Sequence, residues 1–245
     1  MRMIVATTIL GLAAGVGGTT LGGLFVILLG RVAYRWLSPM LAFAGGVMIS
    51  IVVFDMMPSA VSASGVVLAC VVAAVGGLVI YASEKVLEIG ERRIIGSLDS
   101  LISIGLAVGT AIGLHNFAEG MAIGASVVVM IELGITVAVL IAVHNIPEGV
   151  AMSVPLRLKG VRPSLIVLFT ALAGLPMGVG AMLAAYYGSV SRTLLAASFA
   201  FSSGAMGYVS IADLVPSAVR LSSAFEAFVG FVAGVVLGLA VVWAI

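Results

Sequence analysis

The sequence predicts an all-α membrane protein of eight transmembrane helices, and three observations predict it. Hydrophobic residues make up 62% of the chain and charged residues only 9%, which leaves too little polar surface to coat a soluble globule. The charged side chains fall between apolar runs long enough to cross a bilayer, for which about 20 residues are needed. The chain also carries 31 glycines, which suit helices that pack closely in lipid. A net charge of +1 gives no basic footprint for nucleic acid. Cys70 stands alone in a span, without a partner for a disulfide or a CxxC site, and reads as a small apolar packing residue.

In chain order, residues 3–30 form the first span, because this uncharged run is far longer than the roughly 7–15 residues of a secretory-signal core. Arg31 and Arg35 close it. Ser38-Pro39 offers an N-cap and a first-turn proline for a second span at 39–61. The loop SASG leads to a third span at 65–83. Residues 84–99 (EKVLEIGERRIIGSLD) are the most charged stretch and read as a solvated linker. A fourth span at 100–126 and a fifth at 133–156 follow, with Glu132 in the turn between them. Arg157, Lys159 and Arg162 mark a loop. Pro163 opens a sixth span at 163–188, and spans at 193–216 and 222–245 complete the chain. Eight spans use nearly every residue, so 1–245 is expected to be one transmembrane domain.

Lysines and arginines fix the expected orientation. With the N-terminus outside, the inner loops hold Arg31, Arg35, Lys85, Arg92, Arg93, Arg157, Lys159, Arg162 and Arg220, and the outer side only Arg2 and Arg192. This positive-inside bias places both termini outside.

An internal repeat supports a symmetric arrangement. Residues 42–61 (AFAGGVMISIVVFDMMPSAV) align without gaps to 200–219 (AFSSGAMGYVSIADLVPSAV), sharing Asp-x-x-Pro-Ser-Ala-Val in one register. The copies fall on spans two and seven, which are antiparallel in an eight-span chain. Pairing spans 1–3 with 6–8, and 4 with 5, gives an inverted repeat (3+2+3), an architecture that sets its binding site near the midplane. Asp55 is then expected near the outer end of span two and Asp213 near the inner end of span seven, flanking the central site from opposite sides as cation stations on a transport pathway. The alternative is that each is a helix-end carboxylate, hydrated or paired with a loop arginine.

The chemistry lies in two near-identical hexapeptides, HNFAEG at 115–120 and HNIPEG at 144–149, which hold the chain's two histidines. On a helix, His115 stands one turn from Glu119 and His144 one turn from Glu148, with Asn116 and Asn145 one step round. Each motif thus projects an imidazole, an amide and a carboxylate in one direction, a mixed N/O set suited to Zn, Fe, Mn or Co ions. An ionisable side chain at mid-membrane costs roughly 2.5–3.5 kcal/mol on insertion scales, so four of them need a compensating role. Met48 and Met206 lie inward of the repeat's aspartates, and Met48 is the more promising soft sulfur ligand, although buried methionines usually pack. Pro147 frees the carbonyl of Val143 beside His144.

These residues resemble the ZIP family of divalent metal transporters, particularly its compact bacterial and archaeal zinc-uptake and GufA-like branches. The resemblance covers the whole chain: that family has eight spans, outward termini, an HNFPEG-like motif on span four and an HNIPEG-like motif on span five. It implies uptake of Zn²⁺, with Fe²⁺, Mn²⁺, Co²⁺ or Cd²⁺ as further cargo, by a multi-pass cell-membrane protein that is not an enzyme and holds no prosthetic group. Carried over by position, His115, Asn116, Glu119, His144, Asn145 and Glu148 would be metal ligands, with Met48 as a span-two contributor. Divalent ions and the bilayer are the expected partners, with a homodimer open to it and no nucleic acid. Ala118 replaces the usual proline of the first motif. The 84–99 loop lacks the histidines of larger relatives. Leu175, before Pro176, stands where some relatives carry a glutamate for a second metal.

Two other classes compete with this reading. An intramembrane metal-dependent hydrolase of the H-E-x-x-H type needs glutamate beside its first histidine, where asparagine stands here. A proton-coupled transporter of an organic solute would want cationic or aromatic contacts in its pocket, and the predicted core spans contain no central Lys or Arg.

Overall fold

The computed structural model describes residues 2–94 and 100–243. These residues form helices α1 (Arg2–Leu29), α2 (Arg31–Ile51), α3 (Met57–Ser64), α4 (Val66–Ile94), α5 (Ser100–Val129), α6 (Ile131–Leu158), α7 (Pro163–Val190), α8 (Arg192–Tyr208), α9 (Val215–Leu221) and α10 (Ala224–Val242). Two π-helical segments, Val52–Met56 and Val209–Leu214, join α2 to α3 and α8 to α9 without a break in the rod. Eight of the resulting rods are long and apolar enough to cross a membrane, and no strand occurs among the described residues.

The packing has a centre and a rim. The membrane windows Ile112–Val129 and Ile131–Leu158 are 67% and 61% buried, against 17% for Val66–Val86 and 22% for Ala224–Val242. The rods that carry the hexapeptides are therefore held inside, and α4 and α10 turn most of their surface to lipid. Helices α1, α5, α6 and α7 pack tightly against one another, while α2 pairs with α10 and α4 with α8. The two groups meet chiefly where α2 lies on α6 and α8 lies on α5.

Lipid is as apolar as leucine, so helices here gain little from hydrophobic burial and rely on close approach and interhelical hydrogen bonds. Both devices are present. Thr19 Oγ1 donates to Thr170 O at 2.8 Å, Ser38 Oγ to Ala218 O at 2.8 Å, Ser210 Oγ to Gly45 O at 2.8 Å and Ser202 Oγ to Ala118 O at 2.7 Å. The closing glycine of each hexapeptide serves close approach. A Cβ at Gly120 would run into the carbonyl of Met177 on α7, and one at Gly149 into the carbonyl of Thr19 on α1.

Three expectations need correction. Ser38-Pro39 does not open a helix: α2 begins at Arg31, directly after Gly30 with its positive φ of 54°, and Pro39 lies inside it. Ser38 spends its hydroxyl on Ala218 rather than on a cap. Residues 84–94 are not a linker but the continuation of α4, as their Glu, Lys, Leu and Arg content favours, while residues 95–99 of that stretch lie outside the described residues. Glu132 sits in the first turn of α6, because the link between α5 and α6 is the single extended residue Met130.

The tight positions make a test. Gly120→Ala or Gly149→Ala should lower the unfolding free energy by about 1–3 kcal/mol, the usual cost of overpacking. Gly17→Ala and Gly207→Ala, whose Cβ would meet nothing within 4 Å, should leave thermal unfolding in detergent unchanged or slightly raised. Equal effects at all four positions would contradict close approach as the reason for these glycines.

Candidate metal centre

A one-residue link makes α5 and α6 antiparallel neighbours, and this dictates how the two hexapeptides meet. In an antiparallel pair the first residue of one motif can face the fifth of the other, so the four-residue His–Glu spacing becomes two crossed contacts. His115 Nε2 lies 3.1 Å from Glu148 Oε2, and His144 Nε2 lies 2.8 Å from Glu119 Oε1. His115 is 5% exposed, Glu148 1%, and Glu119 and His144 are fully buried. Donor atoms of His115, Glu119 and Glu148 all lie within 4.8 Å of one another.

The hydrogen bonding within this cluster is incomplete. His115 Nε2 is close to Glu148 without the alignment of a hydrogen bond, and Glu148 Oε1, His144 Nδ1 and Asn116 Oδ1 are buried without partners. Unpaired polar atoms cost roughly 1–3 kcal/mol each in a protein interior. Their concentration at one point, among two carboxylates and two imidazoles, matches the donor set of a divalent cation.

The asparagines act differently from each other. Asn116 Nδ2 donates to Ala173 O on α7 at 2.9 Å. The Asn145 amide bridges the two glutamates: with its nitrogen turned towards them it donates to Glu148 Oε2 at 3.2 Å and Glu119 Oε2 at 3.3 Å. Its other end lies 4.0 Å from Met177 Sδ. Met48 is fully buried on α2, the helix that packs against α6.

Asp55 and Asp213 are each half-buried in a π-segment, and Asp213 is near enough to His115 to act on it electrostatically. The segments sit in the same register of the repeat. The N–H of Met57 reaches Val52 O, and that of Val215 reaches Ser210 O, five residues back in both copies. Pro58 and Pro216 account for this, since each lacks the N–H that the carbonyl four residues back would accept and its ring crowds that carbonyl, which widens the turn before it. Asp55 Oδ2 is buried without a partner.

Two residues escape sequence reasoning. Glu84, assigned to a linker, accepts a hydrogen bond from Tyr208 Oη at 2.9 Å, and its carboxyl lies beside that of Asp213. It is the first charge after an apolar run, so the fall in hydropathy marks it as a helix end but not as a neighbour of span seven. Met177 is fully buried against the hexapeptides, whereas Leu175 is 44% exposed on the outer face of α7. Two residues apart on a helix means opposite sides, and Gly174 and Gly178 flanking Met177 mark the packed one.

Comparison with known proteins agrees with this chemistry. No curated protein matches the chain. The family model described as ZIP Zinc transporter matches residues 95–245, a stretch that includes both hexapeptides and the second copy of the repeat. The chain belongs to the ZIP zinc transporter family, whose members move divalent metal ions across membranes.

Proposed function

We propose that the protein takes up Zn²⁺ into the cytoplasm, through a centre between α5 and α6 formed by His115, Glu119, His144 and Glu148 with amide oxygen from Asn116 and Asn145. The observation that carries this reading is the crossed contact of the two hexapeptides, which gathers three ligand-type groups within 4.8 Å in a buried interior. Fe²⁺, Mn²⁺, Co²⁺ and Cd²⁺ are the competing cargo that the same donor set admits. Met48 contributes from α2. One ion is held tightly, because α7 contains no Asp or Glu to offset a second like charge, and Leu175 points outward.

The lysine and arginine distribution supports outward termini, hence Asp55 towards the outside and Asp213 towards the cytoplasm. Each aspartate then serves as a cation station, and Glu84 joins Asp213 at the inner one. A hydrolytic alternative fits less well, since an asparagine follows each histidine where a general base would stand.

Zinc uptake into proteoliposomes, with the other divalent ions as competitors, tests the central site. His144→Ala or Glu119→Ala should reduce saturable uptake by more than about tenfold, the range in which even supporting residues of metal sites act. Near-normal uptake by either variant, once it is shown to be folded, would contradict the shared centre. Thiol labelling tests the pathway. In a Cys70→Ser background, Asp55→Cys should react with a membrane-impermeant reagent from outside and Asp213→Cys from inside, and labelling of both from one face would refute the proposed topology.

A further inference from the structure

One end of the Asn145 amide lies between Glu119 and Glu148 and the other beside Met177 Sδ, so its N–H would find a partner in either orientation of the amide. Turned one way, the nitrogen bridges Glu119 and Glu148 at 3.3 and 3.2 Å. Turned the other way, the nitrogen lies 4.0 Å from Met177 Sδ, and the oxygen faces the glutamates. Which end is which is fixed by the surrounding hydrogen-bond demands rather than by the shape of the amide.

Those demands reverse when a cation sits between the carboxylates. Two glutamate oxygens with no cation between them need a donor, and the Asn145 N–H provides it. A divalent ion there repels the N–H end of the amide dipole and attracts its oxygen. The turned N–H must then find an acceptor in a fully buried setting, where a stranded donor is costly. A thioether is a weak acceptor, so Met177 alone does not hold the amide in this orientation, but it lowers the penalty for adopting it.

We propose that Met177 is a positioning residue that accepts the Asn145 N–H when the amide turns its oxygen towards the bound cation. Met177 is fully buried, Gly15 of α1 and Gly120 of α5 lie against its Cβ and backbone, and its sulfur is 4.0 Å from the Asn145 amide. The proposal rests on the reading of the centre as a cation site. It adds an inner conformational step to that reading: cation entry turns one amide, and the sulfur lowers the cost of the turn.

The test is a double-mutant cycle on the full chain in detergent, titrating Zn²⁺ alone and following metal-free thermal unfolding in parallel. Met177→Leu keeps the volume and removes the acceptor. It should weaken Zn²⁺ binding about two- to fivefold, as the loss of one weak hydrogen bond implies, and leave metal-free unfolding unchanged. In an Asn145→Ala background the same substitution should have no effect on affinity, and Met177→Gln, which restores an acceptor, should recover binding when Asn145 is present. An equal loss in both backgrounds, or a fall in metal-free stability with no effect on affinity, would overturn the proposal. Absence of Zn²⁺ binding by the unmodified chain would overturn the cation reading along with it, whereas binding with additive losses would overturn this proposal alone.

Discussion

Two carboxylates and two imidazoles buried face to face between α5 and α6 are the constraint to which the rest of the structure answers. In hydrocarbon each would be costly alone, so they must lie at the centre of the bundle and reach one another. The single-residue link at Met130 makes the two helices antiparallel, and the four-residue spacing then sets each histidine against the other motif's glutamate. The flanking helices approach as closely as backbone allows, with Gly120 against α7 and Gly149 against α1. The last letter of each hexapeptide is thus a packing requirement, while the first and fifth place the buried ionisable groups. The centre and its walls are specified by the same short motifs.

Much of this was legible in the sequence. Eight apolar runs marked the membrane rods. The hexapeptides named the buried polar groups, because a histidine and a glutamate at helical spacing in lipid are too costly to persist there without partners or an ion to satisfy them. The sequence also carried the repeat, although not its local form. Asp-x-x-Pro at two places indicates a proline-perturbed helix, and the structure shows what the perturbation is: a π-turn in the same register in both copies, with an aspartate in each.

What escaped the sequence has a common physical cause. Pairings between distant helices leave no trace in periodicity. Glu84 looks like the first residue of a charged linker until α8 and the π-segment after it bring Tyr208 and Asp213 to it. Ser38 looks like an N-cap until Ala218 claims its hydroxyl. Met177 looks like one apolar residue among many, and only its placement beside Asn145 separates it from Leu175, which faces outward two residues earlier. The cross-pairing of histidines and glutamates belongs to the same class, since either motif alone is equally consistent with an in-helix His–Glu contact.

The most direct measurement of the central claim is anomalous scattering at the zinc edge from crystals of the full chain grown with Zn²⁺. A shared centre requires one dominant peak between α5 and α6, with nitrogen or oxygen atoms of His115, Glu119 and Glu148 at about 2.0–2.2 Å from it. A dominant peak elsewhere in the protein, with the space between the two hexapeptides empty in zinc-loaded crystals, would contradict it.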